Sequence, residues 1–320
     1  MRALPSLRQL RYLVVLSETR NFTRAAEACF VTQSTLSAGL KELETTLGAQ
    51  LVERDRQSVR MTPVGESVAT RARALLAGAE DLVEAAAATA RPMSGTLRLG
   101  VIPTIAPFLL PSLLPGLRKR YPALRLALRE DLTANLLMRL EDGGLDFALI
   151  ALPFDTDGLL VRPLFDDELW LVAPEGDPQI APKRLTVSPR IAERLLILEE
   201  GHCLRDHTLQ ACGRAQVASA EGLEATSLLT LVQMVESGLG LALVPEIAVQ
   251  AGLLASTRLV ARPLASPAPK RTVALVGRRS TARLAEFSIL AEQVIEIRRA
   301  RLGKVTTSIG RRVKSPRHSS

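Results

Sequence analysis

The chain has 320 residues, 47% of them hydrophobic and 3% aromatic, which is room for two domains and a large core. Its first apolar run is broken by Arg11 and followed by Glu18 and Arg20, and no stretch approaches the ~20 apolar residues of a membrane span, so neither a signal peptide nor a membrane anchor is expected and a cytoplasmic protein is. The net charge of +8 is uneven, with nine Lys or Arg against six acids in residues 1–60 and six against none in residues 301–320, so the N-terminal region points to a polyanion, most simply nucleic acid.

Residues 5–19 read as an amphipathic helix through Leu7, Leu10, Leu13, Val14 and Leu16. Asn21, Phe22 and Thr23 precede a short helix from Arg24 to Cys29, with Cys29 as a small core residue. After a turn at Phe30 and Val31, Thr32 can cap a third helix from Gln33 to about Leu47, which Gly48 ends. That helix has an apolar stripe of Leu36, Leu40, Leu43 and Leu47. A second stripe carries Gln33, Ser37 and Lys41, flanked by Ser34 and Thr35. Leu51–Arg54 and Val59–Met61 can pair as a two-stranded wing.

Three helices with a polar stripe on the last make a helix-turn-helix candidate. The third helix would lie in the major groove of double-stranded DNA with its first side chains at base edges. Gln33 suits adenine, and Ser34, Thr35 and Ser37 suit bases or phosphate. Lys41, Arg24, Arg54 and Arg56 suit phosphate. Periodicity alone fits an ordinary helical subdomain with a solvated polar stripe equally well.

A long helix is expected from about Pro63 to Ala90. Val64, Val68, Ala72, Leu75, Ala79, Leu82 and Ala86 form a coiled-coil-like seam, and its length favours dimerisation over packing on its own domain. Residues 91–95 read as a hinge. From Thr96 the texture changes to strands alternating with helices. Residues 96–102, 124–130, 146–151, 169–173, 195–198, 241–244 and 272–276 read as strands of a mostly parallel sheet architecture that two lobes can share. Thr104 follows the first of these strands and Thr133 the second, where such folds seat ligands. Asp166, Asp167 and Glu168 read as a solvated turn. Residues 301–320 read as a basic, disordered tail.

Two of the three cysteines, Cys203 and Cys212, lie nine residues apart with His202, Arg205, Asp206 and His207 crowding the first. Nothing between them breaks a helix. Helical, they stand ~13.5 Å apart along the axis and on opposite faces, whereas a disulfide needs Cα atoms within ~7 Å. Helix and disulfide therefore exclude each other, and in the cytosol a disulfide is usually catalytic or redox-sensing. A start of the helix at Cys203 and the nearness of Arg205 would favour its thiolate, the nucleophilic form. His202 and His207 would donate hydrogen bonds or shuttle a proton. No metal is expected, because the spacing of His202, Cys203, His207 and Cys212 fits no familiar zinc site. From spacing alone, inert buried packing is the better account of the pair.

Residues 21–27 (NFTRAAE), 31–37 (VTQSTLS), 43–54 (LETTLGAQLVER) and 62–65 (TPVG) closely resemble the winged helix-turn-helix of LysR-type transcriptional regulators. Ser34 departs from the family's usual proline. Residues 238–245 (GLGLALVP) match that family's effector domain. The resemblance implies an α/β protein with three parts. They are a winged helix-turn-helix (1–65), a long dimerising linker helix (66–92) and a two-lobed effector domain like periplasmic binding proteins (93–300), ahead of the 301–320 tail. Residues 201–206 (GHCLRD), 102–111 (IPTIAPFLLP) and 225–228 (ATSL) further resemble the peroxide-sensing members. Leu132 stands where a polar residue is usual there. That closer resemblance implies a regulator rather than an enzyme, with no cofactor. Cys203 would be the peroxidatic thiol and Cys212 the resolving one. Thr104, Thr133, His202, Arg205 and Asp206 would seat hydrogen peroxide or activate the thiol, and Arg24, Thr32, Gln33, Ser34, Thr35, Ser37, Lys41 and Arg54 would hold DNA. It also implies a tetramer, RNA polymerase as partner, antioxidant target genes, and thioredoxin or glutaredoxin as reductant. The competing expectation is a LysR-type regulator that binds an organic metabolite between its lobes.

Overall fold

The computed structural model describes residues 4–54, 59–88, 92–181, 185–212 and 224–312. The chain divides into two compact units, Met1–Arg91 with Met138–Asp146, and Pro92–Leu137 with Phe147–Ser320.

The first unit is helical with a small wing. Ser6 caps α1 (Leu7–Thr19) in a reciprocal box with Gln9, Asn21 caps α2 (Phe22–Ala28), and Thr32 caps α3 (Gln33–Leu47). Strands β1 (Val52–Arg54) and β2 (Val59–Met61) pair antiparallel, and α4 (Pro63–Ala88) follows. The core gathers Leu10, Leu13, Leu16, Leu36, Leu40, Leu43 and Leu51. Burying one such leucine stabilises by about 1.5–3 kcal/mol, against about 1 kcal/mol for a cap. The apolar stripe therefore dominates the stability of α3, and the caps set where it begins. Leu47 departs from the expected stripe and is 40% exposed at the helix end. Gly65 is required at the start of α4, because a Cβ there would stand 2.1 Å from Leu51 O.

The seam expected on α4 splits in two. Val68 and Leu76 pack on the unit's own core, and Ala72 is buried in it. Leu75, Leu82 and Val83 stay exposed.

The second unit is built on a mixed seven-stranded sheet. Its strands are β3 (Gly95–Val101), β4 (Leu124–Glu130), β5 (Phe147–Leu152), β6 (Leu159–Pro174), β9 (Ala242–Pro245), β10 (Leu259–Pro263) and β11 (Lys270–Arg278). They are ordered β10-β6-β11-β5-β3-β4, with β9 also on β6. Only the β3–β4 and β3–β5 contacts are parallel; β11 and the neighbours of β6 run antiparallel. The expectation of a mostly parallel sheet is corrected here. β5 and β6 themselves run the same way, but they are not neighbours. β11, from the far end of the chain, enters between β5 and β6 instead.

β6 is the connecting element. Leu159–Glu168 pair with β11, and Leu169–Pro174 pair with β9 and β10, so one strand serves both lobes. Its first half is strand where none is expected, because Arg162, Asp166, Asp167 and Glu168 obscure the alternation. Asp167 is not in a solvated turn but is fully buried on β6. The outer lobe adds the parallel pair β7 (Ile197–Leu198) and β8 (Glu224–Ala225). Helices α5 (Ala106–Arg120), α6 (Thr133–Glu141), α7 (Pro189–Ala192), α8 (Cys203–Cys212), α9 (Leu228–Glu236), α10 (Glu246–Gln250) and α11 (Leu284–Arg312) complete the chain.

α11 runs on to Arg312, where irregular chain is expected from 301. No proline interrupts that stretch, and Leu302, Val305 and Ile309 continue a helical spacing. Residues 313–320, Arg56 and the expected hinge residue Arg91 lie outside the described residues. No helix among the described residues is long and apolar enough to cross a membrane.

Candidate functional site

The chain turns into α8 through Gly201, whose φ of +94° favours glycine. A Cβ there would also come within 3.0 Å of Leu132 Cδ1. Leu132 thus closes an apolar side over the start of α8, at the position where the resemblance leads one to expect a polar residue. Cys203 is the first residue of α8 and Cys212 the last, both free thiols and both buried. The helix holds them ~13.5 Å apart along its axis, so the conditional geometry of the sequence is realised as the helix.

Burial pushes the Cys203 thiol above its usual range. The Arg271 guanidinium, the Thr133 hydroxyl and the Leu204 N–H act in the opposite direction, and Asp206 adds to the rise. The resting sulfur is therefore a protonated thiol in a setting that favours the anion once charge develops. Thr133 Oγ1 is buried with no well-aligned hydrogen bond, which leaves its O–H free to turn to the sulfur.

Arg271, on β11, is the organiser that sequence reasoning missed. It is 1% exposed. Its Nη1 donates to Thr104 Oγ1 at 2.6 Å and its Nη2 to Thr104 O at 3.0 Å. Nε and Nη2 donate to Asp167 Oδ2 at 3.1 and 3.0 Å. Asp167 Oδ1 in turn accepts the Ile247 N–H at 2.9 Å, at the start of α10. A carboxylate with no exposure requires a partner of this kind. Arg271 and Asp167 are direct cross-strand neighbours. The lone signal for the pair was an acid and a cation inside two apolar segments.

The other expected residues divide. Thr104 and Thr133 join the cluster. Arg205 does not: its Nη1 donates to Leu198 O at 3.0 Å and to Glu224, tying α8 to β7 and β8. Its guanidinium is engaged there, and the cation acting on the sulfur is Arg271. Asp206 is exposed and opposes the thiolate rather than activating it. His202 Nε2 lies 3.7 Å from Glu199 Oε1, too long for a good hydrogen bond.

His207 sits one turn after Cys203, on the same helix face. Its Nε2 is 3.1 Å from Leu152 O, so Nε2 carries the proton and donates. Nδ1 is then a bare acceptor, buried and unpartnered. Burial, helped by Arg271, lowers the His207 pKa to about 4. The ring is neutral at physiological pH and accepts a proton rather than supplying one. Burial raises the Cys212 thiol to about 11. Among the described residues no three His, Cys, Asp or Glu side chains converge to hold a metal ion.

In the helical unit, the start of α3 presents a hydroxyl cluster. Thr32 Oγ1 accepts the Thr35 N–H at 3.2 Å and lies 2.9 Å from Ser34 Oγ and 2.8 Å from Thr35 Oγ1. Ser34 stands where the family has proline and completes that cluster. Gln33 Oε1 accepts from Thr23 Oγ1 at 3.3 Å, which aims its amide. Arg24, Gln33, Ser34, Thr35 and Lys41 are exposed, and Ser37 is half-buried. Arg54 lies on the wing strand β1.

Two family models match the chain. Residues 7–66 match the bacterial regulatory helix-turn-helix protein of the lysR family, and residues 90–298 match the LysR substrate binding domain. The chain belongs to the LysR family of transcriptional regulators. This LysR-family regulator is 48% identical over 293 residues to the HTH-type transcriptional regulator EstR of Acinetobacter baylyi, covering 91% of this chain and 97% of that one. It is 38% identical over 291 residues to a hydrogen peroxide-inducible genes activator of Dickeya chrysanthemi, covering 91% and 95%. Full-length OxyR from Pseudomonas aeruginosa, solved as a cysteine-to-aspartate variant, superposes with a TM-score of 0.77 at 37% identity, over 91% of this chain and 98% of that one. The winged helix-turn-helix and α/β effector architecture implied by the resemblance is thereby shown.

Proposed function

We propose that this LysR-family regulator is a cytoplasmic sensor of hydrogen peroxide that binds promoter DNA. The observation that carries the reading is the Cys203 thiol, at the first position of α8, beside Arg271 and Thr133 with Arg271 bonded to Thr104. Cys203 sulfur attacks one peroxide oxygen, the O–O bond breaks, and the other oxygen leaves as water with the thiol proton. Neutral His207, one turn along the same helix face, leaves Nδ1 bare as a hydrogen-bond acceptor. Arg271 and the two threonines meet the charge that develops on oxygen. Cys212 sulfur then attacks the sulfenic acid, releasing a second water and forming a disulfide.

That last step requires α8 to unwind. Closing a ten-residue loop removes about 2.7 kcal/mol of chain entropy, comparable to a helix of two to three turns, so covalent closure can overturn the local fold. The altered lobe surface repacks a tetramer, changes the grip on DNA half-sites and recruits RNA polymerase at antioxidant genes. Thioredoxin or glutaredoxin resets the thiols. Mass spectrometry of peptides spanning Cys203 and Cys212, before and after stoichiometric peroxide, tests this directly. A linked pair supports it, and a reporter that responds normally in Cys203→Ser overturns it.

A second reading is favoured by the 48% identity to EstR, a regulator whose name carries no peroxide. In it the inter-lobe cleft binds a small organic effector and the cysteines are structural. It requires a ligand-dependent response that survives Cys203→Ser.

A further inference from the structure

Three non-glycine residues among those described have positive φ: Arg20, Phe30 and Met93. Met93 is buried, and Arg20 reaches Glu66 through its guanidinium. Each has contacts within the chain that hold its strained backbone. Phe30 has neither. Its φ is +56° and its side chain is 94% exposed.

The backbone explains the conformation. The Val31 N–H bonds back to Ala26 O and the Phe30 N–H to Glu27 O, both at 3.0 Å. This closes α2 through a left-handed residue, a position where glycine is preferred because it has no Cβ. A phenylalanine there strains the turn that these two hydrogen bonds close, and its ring stays exposed rather than packing on the described residues. Such an outlier points to a function outside its own fold.

Its surroundings name the partner. Phe30 is three residues before Gln33, so its Cα lies within ~11 Å of the groove-reading end of α3. Thr32, Gln33, Ser34 and Thr35 are exposed on one side of it in sequence, and Arg24 on the other. These are the polar and cationic groups that hold a duplex. We infer that Phe30 is a non-ionic DNA contact that packs its ring on the apolar surface of the duplex beside the half-site, at a thymine methyl or a deoxyribose. The inference rests on the DNA-binding reading of the helix-turn-helix. The other residues assigned to this surface are polar or cationic and would act through hydrogen bonds or ion pairs. Phe30 adds affinity without releasing counterions, so its contribution is insensitive to salt.

Full-length protein and a duplex enriched by it from a randomised pool provide the test. Phe30→Gly and Phe30→Asn both suit the left-handed backbone and remove the ring. Each weakens binding by about five- to tenfold with an unchanged salt slope, while Phe30→Tyr keeps wild-type affinity. Phe30→Gly also raises the melting temperature, by about 2–4 °C, so the lost affinity is not lost folding. Replacing half-site thymines by deoxyuridine removes the methyl groups; it weakens the wild type alone if the ring meets thymine and neither protein if it meets sugar. Wild-type affinity in both ring-less variants overturns the inference, as does a Phe30→Gly protein that melts lower. A wild-type protein that enriches no duplex instead overturns the DNA-binding reading beneath it.

Discussion

Removing the Arg271 side chain leaves the Asp167 carboxylate with no exposure and one remaining backbone donor, the Ile247 N–H. Breaking a buried ion pair from one side costs about 3–5 kcal/mol, because the surviving charge is uncompensated. That is a large share of the roughly 5–15 kcal/mol typical of a domain. Arg271→Met should therefore lower the urea midpoint steeply. Trp170, the single tryptophan, lies three residues from Asp167 on β6 and provides the fluorescence readout. The double variant Arg271→Met/Asp167→Leu removes both charges and should recover most of the stability. It should not recover reactivity. Without Arg271 the Cys203 thiol rises further and oxygen loses a donor, so oxidation by peroxide slows by on the order of a hundredfold in both variants. A single variant that loses less than about 1 kcal/mol, or a double variant no more stable than the single, refutes the uncompensated-charge account. A double variant oxidised at the wild-type rate refutes the role of Arg271 at the sulfur.

Further outcomes follow from the same geometry. His207 has a folded pKa of about 4 against about 6.5 unfolded, so its contribution to stability is complete above the unfolded value and lost as pH falls towards the folded one. The loss is about 3 kcal/mol by linkage, and pH-dependent unfolding should lose this step in His207→Gln. Reduced Cys203 and Cys212 should both alkylate slowly at neutral pH and faster as pH climbs past the ordinary thiol range, because burial raises both thiols; rapid alkylation of both in the folded protein at neutral pH would contradict that burial. Leu75→Glu with Leu82→Glu should weaken self-association by two orders of magnitude or more, roughly the burial lost at two exposed leucines. Sedimentation velocity reads that shift, and an unchanged oligomer rules out the distal half of α4 as the dimer seam.

Much of the molecule is legible directly in residue patterns. The bounds of α3 follow because a capping threonine, a leucine stripe and a terminal glycine agree on the same ends. β4 and the wing are legible for similar reasons. The first half of β6 is not, since period-two alternation fails where a strand carries a buried acid opposite a buried arginine. The sheet's mixed direction is hidden because β11 arrives from the end of the chain, and local pattern carries no information about such pairings. At the thiol, helical spacing places Cys203, Cys212 and His207 correctly. Sequence proximity points to Arg205, two residues away, as the activating cation, whereas the sheet brings Arg271 in from 68 positions further along.

α4 is occupied unequally along its length. Val68, Ala72 and Leu76 complete the core of the helix-turn-helix, and Leu75, Leu82 and Val83 are left uncovered by it. The DNA-reading head therefore has a finished interior as soon as its own segment leaves the ribosome, and does not wait for a second copy. Folding of the head and any pairing through the uncovered stripe are therefore separate steps, and a substitution in that stripe leaves the interior of the head intact.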